Sequence, residues 1–389
     1  MCHLILQRRE FRLNQLHLQI AYVYPEILPS DKARGVSIIK TIAELSKLSQ
    51  ITFFCEYGTD KAACELQYDV DLSDVHFVYI SKKLLGIKSN YFFNLRLTGI
   101  LKKLKNIVVY TRHLKVAKHL IGTKSIFFEC HEIFSDTITE QKNISRKKID
   151  SLKKLEQYVY SNANGLVFSN ARVQLYCNQF FKNITKYQVV IYNGSIVPQN
   201  MPIKDFSAID GVYYIGSLLE WKGVDGLITV FASIPNVKLY IIGNGQRLDA
   251  LMQLCKDKGF NNIVFLGFKS QKEISTILSN KSRICIIPNS ISVQNKYSVP
   301  IKLFEYIATS NVVIAPDMAT ISEIDPNGNF IKFFKYGDLS SMREVVSTVI
   351  SADADMLLKS SLLGFDIAKK FTWHKKAESI INFLNEHRC

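Results

Sequence analysis

No window of 18 uncharged apolar residues occurs anywhere in this chain of 389 residues, so nothing in it reads as a transmembrane helix. The N-terminus, MCHLILQRREFRLNQ, carries basic residues but no apolar stretch of signal-peptide length behind them. The expectation is a protein that neither crosses a membrane nor enters a secretory pathway by its own signal. Sequons beginning at Asn143, Asn183 and Asn193 are then chance matches rather than glycosylation sites. Paired cysteines are missing as well. The eight cysteines show no CxxC spacing, and several lie in apolar runs such as ITFFCEY and SRICIIPN, which predicts reduced, buried thiols in a cytosolic protein. Glycine (18) and proline (9) are scarce, leaving no room for a long disordered tract. With 47% hydrophobic residues, a chain of this length exceeds what one core serves, and two domains of about 200 residues each are expected.

Acidic residues are absent between Asp74 and Glu129, while eleven lysines and arginines, from Lys82 to Lys124, fall within that stretch. The formal net charge is +15; the chain up to Ser195 holds 28 basic against 16 acidic residues, +12, and the remainder 21 against 18, +3. An anionic partner of the N-terminal half is therefore expected. Within the stretch, NYFFNLRLTGILKKLKN places Phe93, Leu97, Ile100, Leu101 and Leu104 on one helical face with Arg96, Lys102, Lys103 and Lys105 beside them. That pattern fits a helix packed on a sheet with a solvated basic side, and equally a surface docking on an anionic bilayer.

What the chain does have is a rhythm of short apolar runs. LQIAYVY (18–24), ITFFC (51–55), HFVYI (76–80), IVVY (107–110), SIFFE (125–129), GLVFS (165–169) and QVVIY (188–192) read as buried parallel strands separated by helical segments. After residues 193–210 the rhythm restarts with GVYYIG (211–216), VKLYIIG (237–243), NIVFLG (262–267), RICIIP (283–288) and NVVIAP (311–316). Two doubly wound α/β domains follow, and ligands of such domains lie beyond the C-terminal strand ends.

Several strand ends carry chemistry. After GVYYIG, Lys222 and Gly223 stand at the entry to a helix whose apolar face is Val224, Leu227, Ile228 and Phe231. A lysine there opposes the helix dipole, so it is either a solvated turn residue or a partner for an anion. Phe268, after Gly267, could stack on a planar base or simply pack. In SVPIKLFEYIATSNVVIAPD, Pro300 suits a helix's first position, and Ile301, Phe304, Ile307 and Ala308 form its buried face. Lys302 and Glu305 are left directed away from the core, as an exposed ion pair or, together with Lys222, as a site offering cations to a diphosphate and a carboxylate to ribose hydroxyls.

These runs, in this order, resemble the retaining glycosyltransferases of family 4, which have the two-domain GT-B fold. The resemblance is carried over about 120 residues by YIGSLLEWKGVDGLITVFA, VKLYIIGNG, IVFLGF and SVPIKLFEYIATSNVVIAPD with ISEI behind it. More loosely it extends through KARGVSIIKTIAELSKL, VVYTRHLKVAKHL, FFECHEIF, ANGLVFSNARVQLY and IYNGSIVP, while FTWHKKAESIINFL resembles the family's closing helix. It implies an acceptor-side Rossmann-like domain over 1–195, a nucleotide-sugar domain over 196–371 facing it across a central cleft, and a helix over 372–389 returning to the first domain. It further implies Glu305 on the nucleotide ribose, Lys222 on the donor diphosphate, His131 beside the transferred sugar, and donor contacts at Gly35, Gly216, Ser217, Phe268, Lys302 and Leu303. Two positions depart from the family pattern: Tyr297 stands where the first glutamate of the E-x7-E motif would fall, and Ser217 where an arginine is frequent. Tyr110, Arg112 and Ser169 follow strand ends and are candidates for the acceptor side or for structure alike.

The implied reaction is hexosyl transfer with retention from a UDP- or GDP-sugar to a glycan or lipid-linked glycan, in polysaccharide or glycolipid biosynthesis. No DxD pair stands in a plausible metal position: Asp353-x-Asp355 reads as helical and Asp69-x-Asp71 as a remote loop, so no metal or other cofactor is expected and the leaving diphosphate falls to lysines and helix N-termini. Location is expected to be cytoplasmic, peripheral on an anionic membrane. An epimerase-like or phosphorylase GT-B enzyme is one rival reading, and a nucleic-acid-binding protein another, although the basic residues are not interleaved with an RNA or DNA motif.

Overall fold

The computed structural model describes residues 18–30, 33–140 and 143–388. Contacts divide the chain into two compact units, one formed by the described residues up to Tyr192 together with those from Trp373 onward, the other by Asn193–Thr372. The N-terminal segment MCHLILQRREFRLNQ, with Cys2, lies outside the described residues, as does Cys389.

In the first unit the chain forms β1 (Gln19–Tyr24), β2 (Gln50–Glu56), β3 (Val75–Ile80), a small hairpin of β4 (Lys83–Leu84) and β5 (Ile87–Lys88), then β6 (Ile107–Thr111), β7 (Ile126–Cys130), β8 (Gly165–Phe168) and β9 (Gln188–Val190). The large sheet has the order β3-β2-β1-β6-β7-β8-β9, and its neighbours pair in parallel. All five residues of β6 and of β7 are buried, because helices cover both faces and apolar side chains alternate into two cores. The strand order reverses between β1 and β6: the crossovers run outward one way through β2 and β3 and the other way through β7 to β9. Right-handed connections running in opposite directions leave on opposite faces, which opens a crevice at that reversal.

The helix Trp373–His387 belongs to this unit. Its Ala377, Ile380, Ile381, Phe383 and Leu384 share a core with β1, β2 and the helix Ala33–Ser46. Gly165 makes room for it, since a Cβ there would come within 2.7 Å of the Phe383 ring. That ring stands edge-on to Phe127 at 5.8 Å.

The second unit repeats the plan with β10 (Val212–Ile215), β11 (Leu239–Ile242), β12 (Ile263–Gly267), β13 (Ile284–Ile286), β14 (Val312–Pro316) and β15 (Ile331–Phe334) in the order β12-β11-β10-β13-β14-β15. Here the reversal lies between β10 and β13. All twelve expected apolar runs are strands. Two elements had no such signal: β15, where Lys332 interrupts the apolar run at a half-buried sheet edge, and the β4–β5 hairpin, whose two-residue strands are set by the left-handed turn at Leu85 (φ 47°) and Gly86 (φ 81°). Six cysteines, 55, 64, 130, 177, 255 and 285, are free and buried. Among the described residues no helix is long and apolar enough to cross a membrane.

Candidate functional site

The reversal of the second sheet is flanked by two loops. Behind β10, Gly216 to Leu219 lead into a 3-10 turn, Glu220–Lys222, and then through Gly223 into the helix Val224–Ala232. Gly223 is left-handed (φ 73°) and a Cβ there would stand on the Pro288 carbonyl oxygen, so only glycine lets this turn lie against the loop after β13. Hydrogen bonds hold the approach: the carbonyl of Trp221 accepts from Asn295 Nδ2 at 2.8 Å and from the Ser290 N–H at 3.3 Å. A second backbone contact runs the other way, where Gly243 (φ 147°) brings the loop after β11 onto the Gly216 carbonyl and Leu218 N–H donates to Asn244 at 2.8 Å.

Lys222 rides on that pinned turn. Its ammonium sits 4.1 Å from the centre of the Trp221 ring, and among the described residues no carboxylate or carbonyl pairs with it. Burial pulls the ammonium down to about 8. A cation on an aromatic face is stabilised by roughly 0.5–2 kcal/mol, less than a paired anion would supply, so this lysine is a cation short of a partner. Ser217 and Gly216 are half-buried in the same loop, the Ser217 carbonyl accepting from the Tyr214 hydroxyl at 2.7 Å. Phe268, beyond β12, is 58% exposed, so its ring is open to a ligand and does not pack.

The loop after β13 carries the short helix Val293–Tyr297 and then Ser298 to Pro300. Pro300 is the cap, one position before the helix Ile301–Ala308, not within its first turn. Phe304, Ile307 and Ala308 are buried as expected, joined by Leu303 and Tyr306, while Ile301 is half-buried. Leu303 is wholly enclosed and its N–H bonds the Pro300 carbonyl at 3.0 Å; its side chain is core. Glu305 is mostly covered, pairing with Lys302 and accepting from Gln271 Nε2 at 2.6 Å. The ion pair is thus real, but it is a partly buried, three-residue arrangement rather than a solvated one.

In the first unit, His131 directly follows β7 and Arg112 directly follows β6. Tyr110 lies inside β6, fully buried against Tyr22 with ring centres 5.4 Å apart, so its hydroxyl points into the protein; that oxygen has no hydrogen-bond partner among the described residues. Ser169 follows β8 and accepts from Asn170 Nδ2 at 3.4 Å. Gly35 is in the first turn of Ala33–Ser46, and the space of its absent Cβ is filled by the Tyr68 hydroxyl, which accepts from Ser30 N–H at 2.8 Å. A cavity of about 250 Å³ opens beside this turn, lined by Tyr24, Ser30, Arg34, Glu56, Lys82 and Lys88 among others. Asp353 and Asp69-x-Asp71 perform backbone work: Asp353 caps Ala354–Ala368, and Asp71 accepts from the Ser73 N–H.

Residues 210–335 match the family model described as Glycosyl transferases group 1. The second unit carries a glycosyltransferase domain. The chain is accordingly a glycosyl-transferring enzyme, and its fold is GT-B, as solved structures attest. Alr3699/HepE of Anabaena, crystallised with UDP, is 14% identical, with 95% of this chain and 100% of that one covered at a TM-score of 0.72. Sucrose-phosphate synthase from Thermosynechococcus elongatus is 13% identical over 95% and 98%, TM-score 0.77. A glycosyltransferase from Rickettsia africae is 15% identical over 95% and 98%, TM-score 0.69. No curated protein sequence matches.

Gly216, Ser217, Lys222, Phe268, Lys302, Leu303 and Glu305 fall inside the matched segment of the glycosyltransferase domain; Gly35, Tyr110, Arg112, His131 and Ser169 fall outside it. Sequence reasoning passed over Asn295 and Asn289, both buried and bonded to each other at 2.9 Å, which fix the Lys222 turn. Their signal was weak, since a buried amide and a surface amide look alike in a loop. It also passed over Glu129, which was visible as the lone acid inside the apolar run SIFFEC and therefore demanded a buried cation.

Proposed function

We propose that this chain is a retaining transferase of the family-4 type that moves a sugar from a nucleotide-sugar donor to a glycan or lipid-linked glycan acceptor, without a metal. The observation that carries the reading is Lys222: a cation with no anion paired to it among the described residues, on a turn held by Gly223 and Asn295 at the β10/β13 reversal, where doubly wound domains bind ligands. A donor diphosphate supplies the missing charge, and as the bond to the sugar breaks the leaving diphosphate gains more, which Lys222 and Lys302 stabilise. Glu305 would accept from ribose hydroxyls, and His131 would lie beside the sugar. The UDP held by the Anabaena protein supports a nucleotide donor. Thermal shift with a panel of UDP- and GDP-sugars tests this: a bound donor at a hundred times its dissociation constant stabilises by about 2.7 kcal/mol, and no shift with any of them would refute the donor assignment. Transfer should also survive EDTA; an enzyme that dies in EDTA and revives with magnesium would overturn the metal-free mechanism.

The acceptor is proposed to be presented by an anionic membrane. In the helix Asn90–Leu101, Phe93, Leu97 and Leu101 are buried and Arg96 donates to the Lys83 carbonyl at 3.0 Å, while Lys102, Lys103 and Lys105 are exposed. The start of the same helix and the β4–β5 hairpin before it carry exposed apolar side chains, Tyr91 (61%), Leu85 (94%) and Ile87 (64%). Basic charge with apolar side chains is the combination that holds a protein at an anionic interface, at about 1 kcal/mol per lysine within a Debye length of about 8 Å. Sedimentation with vesicles of anionic lipid, release by salt, and much weaker binding after Lys102→Glu, Lys103→Glu and Lys105→Glu are the expected results. Equal binding to neutral vesicles would leave only a packed helix.

A further inference from the structure

Glu129 is 1% exposed inside β7, where a lone carboxylate would be prohibitively costly. Its partner comes from the far end of the chain: Lys376 Nζ, on the helix Trp373–His387, donates to Glu129 Oε1 at 2.8 Å, and the Tyr22 hydroxyl of β1 donates to Oε2 at 3.4 Å. Buried ion pairs rarely stabilise a fold more than apolar side chains of the same volume, so the pair calls for a reason beyond packing. That reason lies in what else the carboxylate touches. His131 Nε2 is 3.2 Å from the same Oε1, yet out of line for a hydrogen bond, so the nitrogen has no such partner among the described residues.

A carboxylate this close would ordinarily hold a proton on the imidazole. Here the oxygen facing His131 is already neutralised by Lys376, and Arg112, beyond β6, adds a second cation. The groups facing His131 are thus Glu129 on its own strand, Arg112 from β6, and Lys376 from the last helix, with the hydroxyls of Tyr22 and Tyr110 behind Glu129. We propose that Lys376, by neutralising the Glu129 oxygen that faces His131 Nε2, is a positioning residue that keeps His131 a neutral imidazole, so that no added positive charge stands beside the sugar while positive charge develops at the anomeric carbon. Burial, Arg112 and Lys376 together draw the imidazole down to about 4 against the pull of Glu129. Burial would raise the Glu129 carboxyl, but the cations Lys376 and Arg112 hold it well below the carboxylate range.

The inference rests on His131 lying beside the transferred sugar, so its test reads the histidine directly as well as the reaction. With ring-labelled histidine followed by NMR in the full-length protein, wild-type His131 should stay neutral from pH 8 to pH 5.5. In Lys376→Met, and in Lys376→Gln, which retains a donor to Glu129, it should titrate with a midpoint above about 6.5, the ordinary value. The double variant Glu129→Gln/Lys376→Met removes both charges and should return His131 to the neutral state. The single variants' kcat should acquire an acid limb at the new midpoint, absent in the wild type and the double variant. A wild-type His131 protonated at pH 6.5, or folded single variants whose His131 does not shift, would overturn the proposal whatever the donor proves to be. Should neither single variant fold, a wild-type His131 protonated at pH 6.5 would still overturn the proposal.

Discussion

Lys222→Ala should lower the rate of sugar transfer at least 100-fold, the usual loss when one charge-stabilising donor is removed from a leaving group. Stability should change by no more than about 1 kcal/mol, because among the described residues the ammonium has no hydrogen-bond partner and rests on the Trp221 ring. Steady-state kinetics and thermal unfolding of the same preparation separate the two. The pH profile adds a second reading. With the ammonium drawn to about 8 by burial, it is charged at pH 7 and loses its proton as pH rises through that value, so kcat/KM, which reports the free enzyme, should fall above pH 8. A bound diphosphate favours the charged form and moves the loss in kcat to higher pH. A variant within tenfold of wild type would remove Lys222 from the leaving-group site.

Glu305→Ala should weaken donor binding by roughly 1.5–3 kcal/mol, about 10- to 150-fold, as expected for hydrogen bonds accepted by a charged group. In the free protein this carboxylate is already engaged by Lys302 and Gln271, so ribose hydroxyls must share or displace those partners. Removing it should cost the fold only about 1 kcal/mol, since the bonded groups lie near enough to the surface to turn to water. Calorimetric titration with the nucleotide sugar found by thermal shift measures the loss. Unchanged affinity would leave Glu305 as a helix-surface ion-pair residue and no more.

The strands were legible because a parallel sheet covered on both faces needs continuous apolar runs, and this chain breaks those runs cleanly with helices of mixed polarity. Where covering fails, the signal fails: β15 at the sheet edge alternates Ile331, Lys332, Phe333 and Phe334 with only its ends buried. Candidate positions such as Lys222 and Glu305 were visible because they follow strand ends in an order that a known family shares. Their state was not. Leu303 proved to be core, Tyr110 an interior strand residue, and Glu305 a group with two partners, and each depends on which way a helix or strand turns its faces.

By itself, the sequence determined two α/β halves, their strands, and an excess of positive charge on the first half, all of which follow from local periodicity and counting. Tertiary structure alone decided the contacts between residues far apart in the chain. It brought Asn295 under the Trp221 carbonyl, set Tyr68 into the space left by Gly35, and carried Lys376 across 247 positions to Glu129. The reason is physical: a buried polar atom must find a partner somewhere, but the sequence states only the need, and the crossing of helices and strands in three dimensions selects which distant group meets it.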